Sequence, residues 1–141
     1  MTWLLDTNVV SEGMKRHPAP RVAGWIASVN PARAFISVVT LAELRSGIHR
    51  LPEGGRRREL DDWLSVDVVV GFQGRILDID PPVADACGRL LARNHLDRGA
   101  AVTMDVWIAA IATHHQLTVV TRNTRDFERL GVPVFDPWLE E

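Results

Sequence analysis

Residues 3–12 read WLLDTNVVSE. Trp3, Leu4 and Leu5 form a short apolar run suited to a buried strand, and residues 2–5 are read as one. Asp6 stands directly at its end. A carboxylate beside a buried strand is costly unless it is hydrogen-bonded, paired or bound to a cation. Residues 8–14 then look helical. The stretch is therefore a strand, an acidic turn and a helix, and the fold depends on whether that unit repeats.

It does repeat. Val22, Trp25, Ile26 and Val29 fall at helical spacing, and Asn30-Pro31 ends their segment. Residues 34–37 read as a second strand. Thr40 is placed to cap the helix that follows, with Glu43 three residues on in capping-box position, and that helix runs to about residue 50. Another helix is expected over 55–66. Residues 75–79 read as a strand and Pro81-Pro82 as a helix start. Val83, Ala86, Cys87, Leu90 and Leu91 make that helix's buried face. Residues 103–115 give a further helix, and 117–121 and 132–135 the last two strands. The alternation predicts an α/β fold with a parallel sheet covered on both faces. In such sheets, ligands bind beyond the carboxyl ends of the strands, near the point where strand order reverses.

The chain has 141 residues, 46% of them hydrophobic. That length predicts a single domain over 1–141, able to bury roughly two-thirds of its unfolded surface without a disulfide or metal staple. Cys87, the one cysteine, lies in an apolar helical pattern and reads as a core thiol. The first residues lack the basic and long apolar regions of a secretion signal. No apolar run is long enough to span a membrane. Together these features predict a reducing, cytoplasmic setting. The net charge is −2, so the whole-molecule field does not draw in nucleic acid. Every basic residue but Lys15 is an arginine. Arg56, Arg57 and Arg58 follow the turn at Pro52-Glu53-Gly54-Gly55 and read as a solvated helix face.

Four carboxylates fall at element ends: Asp6, Glu43, Asp105 and Asp126. A doubly wound topology would gather all four at one sheet edge. There they would repel and raise each other's pKa values. A hard divalent cation such as Mg²⁺ relieves that repulsion, because it favours oxygen ligands and keeps several waters. Bound at such a cluster it supports phosphodiester hydrolysis. Each residue also has a plainer reading. Asp6 can cap the next helix, and Glu43 can be the reciprocal partner of the Thr40 cap. Asp105 can be a favourable charge in a first turn, and Asp126 can cap a helix starting near Phe127. Caps explain each one singly, but not why all four fall at the same edge. Thr7, Asn8, Ser37, Thr121 and Asn123 lie around the same strand ends. Singly they are turn and cap residues, and as a set they can orient the carboxylates. The amide oxygen of Asn123 is placed to reach a metal-bound water. His114 and His115 are adjacent and so point to different helix faces, while His17, His49 and His95 fall in loops or helix ends. All five read as surface or structural residues.

Four segments, LDTNVVSE (5–12), SVVTLAELRSGI (37–48), MDVWIAAIATHHQLTVVTRNTRDF (104–127) and VFDPW (134–138), together resemble PIN-domain proteins. They are most similar to the VapC toxins of bacterial toxin–antitoxin pairs, and within those to the FitB-like group. Segments 14–33 and 50–100 match only in general pattern. The resemblance implies a three-layer α/β/α sandwich whose parallel sheet has about five strands. It implies Mg²⁺- or Mn²⁺-dependent RNA cleavage, with Asp6, Glu43 and Asp105 as the acidic residues of the first three motifs and the metal site. Asp126 is the expected fourth carboxylate, with Asn123 a helper where many relatives carry Asp. It also implies a homodimer restrained by a VapB-type antitoxin. Apolar stretches around 22–29 and 63–64 are candidate dimer surfaces. Three rival readings have sequence arguments against or for them. A phosphorylation-controlled α/β switch would need a Lys near the last strand, and an aspartyl-phosphate phosphotransferase a second Asp where Asn8 stands. A non-catalytic PIN-like binding module is favoured only by Asn123. No aromatic stacking platform or base-reading motif singles out transfer, ribosomal or messenger RNA.

Overall fold

The computed structural model describes residues 1–94 and 103–139. His95 lies outside the described residues. Five strands form one sheet: β1 (Trp3–Leu5), β2 (Ala34–Ser37), β3 (Ile76–Leu77), β4 (Thr118–Val120) and β5 (Val134–Phe135). Their order is β3-β2-β1-β4-β5, and every pairing is parallel. The chain builds outward from β1 to one side and then from β4 to the other, so the order reverses between β1 and β4.

Side chains alternate across the strands and both faces are covered, which is why the strands are apolar except for Ser37 and Thr118 at their ends. Leu4 and Val119 face one layer, with α5 (Pro81–Arg93), α6 (Met104–His115) and Phe127 of α7 (Thr124–Arg129). Leu5 and Val120 face the other. That layer holds α1 (Thr7–Val10), α2 (Pro20–Ser28), the end of α3 (Val38–His49) and α4 (Gly55–Asp62). Helix α6 is buried from Val106 through Ala112 except at Trp107, so its apolar pattern is nearly continuous rather than striped. Cys87 is a free, buried thiol whose pKa burial raises.

Some expected boundaries move. Helix α3 is capped by Ser37, whose Oγ accepts from Thr40 N–H at 3.2 Å, so Thr40 lies inside the first turn and is buried. The strand after residue 74 is shorter than 75–79, because β2 ends at Ser37 and Ser37 already pairs with Leu77. Beyond that point no partner strand remains. The helix expected over 55–66 continues through a π-helical segment, Trp63–Val70. Of the two stretches expected at a dimer surface, Val22 and Leu64 belong to the core and Ile26 is exposed. Arg56 and Arg58 lie on an exposed face, with Arg56 paired to Glu59 at 3.3 Å. The rings of His114 and His115 meet edge-on with centroids 4.7 Å apart, although the two side chains start from different faces. Among the described residues, no helix is long and apolar enough to cross a membrane.

Candidate active site

The carboxyl ends of β1 and β4 are tied together by backbone and side chain. Asp6 N–H donates to Val120 O at 2.9 Å, which extends the β1–β4 ladder one residue past the end of β1. Asp6 therefore sits at the switch point, and it is only 4% exposed. It caps α1, with Oδ1 accepting from Thr7 N–H at 2.8 Å. Its second oxygen, Oδ2, accepts from the Thr121 hydroxyl at 2.7 Å and more weakly from Asn8 Nδ2 at 3.4 Å. Capping and site placement are thus one arrangement, because a cap uses a single oxygen of the carboxylate.

The surrounding polar groups hold one another. The Thr121 hydroxyl accepts from Asn123 N–H at 3.0 Å and from Asn8 Nδ2 at 3.3 Å. Asn8 Oδ1 accepts from Arg122 N–H at 3.3 Å. The loop after β4 is thereby bound to the start of α1. Asn123 enters this network through its backbone. Its side chain is exposed and gives α7 no cap hydrogen bond.

Glu43 is half-buried on α3, and its Oε1 accepts from the Thr7 hydroxyl at 2.7 Å, across 36 positions of sequence. The same hydroxyl lies 3.1 Å from Thr40 Oγ1. Glu43 thus reaches across to α1, and the capping-box reading of this residue gives way to a tertiary one. Ser37 sets the start of α3 and so fixes where Glu43 stands. Asp105 is half-buried in the first turn of α6, behind the Thr103 cap. Asp126 lies in the first turn of α7 and is exposed, rather than capping that helix. Asp105 and Asp126 line one cleft of about 450 Å³, together with Thr103 and Arg129.

The charges couple in a chain, Asp6 with Asp105 and Glu43, and Asp105 with Glu43 and Asp126. Burial pushes the Asp6 carboxyl up from 3.8 to about 6, against the lowering effect of the Thr121 and Thr7 hydrogen bonds. The negative charges of Asp105 and Glu43 add to the rise. Asp105 is also raised, first by burial and then by Asp126 and Glu43. Among the described residues, no three acidic, His or Cys side chains stand close enough to form a ready-made ion cage. The carboxylates share a field rather than a first coordination sphere. An all-oxygen donor set of this kind fits a hard cation that keeps part of its water shell, as Mg²⁺ does.

One buried carboxylate has no counterpart in the sequence reading. Glu12 is 3% exposed, with Oε1 bound to Lys15 Nζ at 2.6 Å and Oε2 to Ala19 N–H at 3.0 Å. Burial raises its pKa, but the Lys15 and Ala19 hydrogen bonds and the charges of Lys15 and Arg122 outweigh this and leave it lowered. A glutamate followed by Lys three residues on was the available signal, since such pairs meet on one helix face. The pair also occupies Lys15, the chain's single lysine.

Fold and site together define a doubly wound α/β protein with a buried carboxylate at its switch point and an acidic cleft on α6 and α7. The model of the PIN domain family matches residues 3–133, and the chain belongs to that family. It is 40% identical over 137 residues to the toxin FitB of Neisseria gonorrhoeae, covering 96% of this chain and 97% of that protein. It is 34% identical over 135 residues to the VapC ribonuclease Y4jK of Sinorhizobium fredii, covering 96% of each. The crystal structure of FitAcB from Neisseria gonorrhoeae superposes with a TM-score of 0.87 at 38% identity, covering 99% of this chain and 100% of that one.

Proposed function

We propose that the chain is a metal-dependent endoribonuclease toxin that hydrolyses RNA phosphodiester bonds and is neutralised by a VapB-type antitoxin. One observation carries this reading. Asp6 is buried at the switch point with its pKa raised to about 6, in the field of Glu43 and Asp105. A group held in that way is poorly suited to a structural role and well suited to an incoming cation. The similarity to a toxin and to a VapC ribonuclease over nearly the whole chain supports it. The cytoplasm is the compartment where RNA and a partner antitoxin would be met, and a homodimer is the expected assembly.

Asp6, Glu43 and Asp105 would hold Mg²⁺ or Mn²⁺, directly or through water. When bound, the cation supplies Lewis acidity toward water and toward the phosphoryl oxygens. Asp6 keeps one orientation because Thr7 N–H and the Thr121 hydroxyl hold both of its oxygens. Asp126, exposed and lining the same cleft as Asp105, orients the attacking water. The new bond joins that water's oxygen to phosphorus while the water gives up one proton to solvent, the bond from phosphorus to the departing sugar oxygen breaks, and that oxygen takes a proton from solvent.

Metal removal tests the reading directly. A fluorescent RNA incubated with the chain is expected to be cleaved in Mg²⁺ or Mn²⁺ and left intact in EDTA, with cleavage restored on adding metal back. Undiminished cleavage in EDTA would reject the mechanism. A second test concerns the support of Glu43. Thr7→Val replaces a hydroxyl by a methyl group of similar size and leaves Glu43 without its partner. Loss of such an outer support typically costs 10–100-fold. A fall of about that size in kcat/KM is expected, with little change in melting temperature, and an unchanged kcat/KM would separate Glu43 from the chemistry.

A further inference from the structure

Helix α7 carries a second cleft residue besides Asp126. Its six residues, TRDFER, place Asp126 and Arg129 three positions apart and so on one side of the helix. Both line the cleft that also holds Thr103 and Asp105. A volume of about 450 Å³ lies within the roughly 300–1,000 Å³ usual for ligand sites.

The helix is anchored at both its core and its end. Phe127 is fully buried. Past the last turn, Gly131 takes φ +76 and donates to Glu128 O at 3.0 Å, while Val132 N–H donates to Phe127 O at 3.3 Å. That paired ending satisfies the last carbonyls and stops the helix cleanly. Arg129 is therefore carried on a backbone that is fixed two residues away.

Among the described residues its charge enters no ion pair. The ion pairs of the described residues join Lys15–Glu12, Arg45–Asp61, His49–Asp61, Arg56–Glu59 and Arg89–Asp85. Arg129 is in none of them, although Asp126 is three residues away on the same helix. A cation at the rim of an acidic pocket answers a specific need, since a polyanionic strand is otherwise repelled by four carboxylates. The guanidinium's planar fork matches two oxygens of one phosphate.

We infer that Arg129 binds a backbone phosphate of the RNA strand beside the scissile one, and so positions the strand in the Asp105–Asp126 cleft. This rests on the ribonuclease reading. Arg129 is a positioning residue; it takes no part in bond making.

The test uses the full chain and a 12-nucleotide single-stranded RNA of mixed sequence, followed by fluorescence anisotropy in EDTA over a range of KCl. Arg129→Gln is expected to weaken binding about five- to tenfold. It should also reduce the slope of log affinity against log salt by about 0.7, the value for one lost phosphate contact on a single strand. In Mg²⁺, KM should rise while kcat stays within about twofold. Arg129→Lys should recover much of the binding. Arg125→Gln removes the same charge from the same helix at a position that does not line the cleft, and it should leave binding unchanged. Binding by Arg129→Gln within twofold of the unaltered chain overturns the inference. So does an equal loss in Arg125→Gln, which would mean general attraction rather than a site. If the unaltered chain neither binds nor cleaves RNA, the ribonuclease reading itself falls, a result distinguishable from active cleavage that is indifferent to Arg129.

Discussion

Asp6→Asn is expected to lower RNA cleavage at least a thousandfold while making the metal-free protein more stable at neutral pH. A thousandfold loss corresponds to about 4 kcal/mol of barrier, the scale on which a metal-binding charge acts. Asn preserves the shape of the side chain and one carbonyl oxygen to accept from Thr7 N–H. It removes a charge from a site only 4% exposed, where Asp105 and Glu43 also repel it. The gain in stability is smaller than the full relief of burial. The new amide NH₂ would face the Thr121 hydroxyl, which already receives Asn123 N–H. A gain of about 1 kcal/mol is expected from urea titration at pH 7.5 in EDTA. Opposite signs for activity and stability mark a residue kept for chemistry at a cost to the fold. A variant that cleaves within tenfold of the original, or that loses more than about 2 kcal/mol of stability, would show that Asp6 is held for its hydrogen bonds instead.

Where the sequence can be read ahead of the structure, both faces of an element are buried. Residues 34–37 read as a strand and form β2 with the same bounds, because the apolar run lies between the Asn30-Pro31 turn and the Ser37 helix cap. The segment after Asp62 is the opposite case. WLSVDVVV is rich in β-branched residues and argues against helix. Leu60, Leu64 and Val68 are nonetheless all buried, four positions apart. That spacing turns their side chains to one face and carries the helix on to Val70 against local preference. At β3 the limit is the partner strand, whose length no local pattern in 75–79 encodes.

The site was legible as a set of positions and not as a set of contacts. SVVTLAEL contains two overlapping cap patterns, Ser37 with Thr40 and Thr40 with Glu43, and propensity does not choose between them. The strand does, since Ser37 ends β2 in extended conformation and takes the cap. Glu43 is then left for Thr7, a partner 36 positions away that no local rule would nominate. Arg129 was invisible for a related reason. One arginine among many carries no pattern, and its value lies in sharing a cleft with Asp105 and Asp126.

The same buried carboxyl sets the pH dependence of stability. Asp6 holds its proton more tightly folded than unfolded, about 6 against 3.8. The unfolded chain therefore releases that proton first as pH rises. Stability of the metal-free protein should fall through the window from about pH 4 to pH 6 and level off above it. At roughly 1.4 kcal/mol per pH unit the contribution of Asp6 is about 3 kcal/mol. Asp105 acts in the same sense. Glu12 acts in the opposite one, since its lowered pKa gives stability that is lost as pH falls through its folded value. Subtracting the Asp6→Asn curve from that of the unaltered chain isolates the Asp6 share. Divalent cation should then reverse the trend, because it binds the ionised carboxylates. At a hundredfold excess over Kd it should restore about 2.7 kcal/mol. That restoration should be full at pH 7.5, fade toward pH 5 as Asp6 protonates, and be largely absent in Asp6→Asn. Denaturant titrations from pH 4 to 8, with and without Mn²⁺, read all three effects. Difference curves that stay flat between pH 4 and 6 would mean that Asp6 is not held above its ordinary range, and cation binding would then have no buried repulsion to relieve.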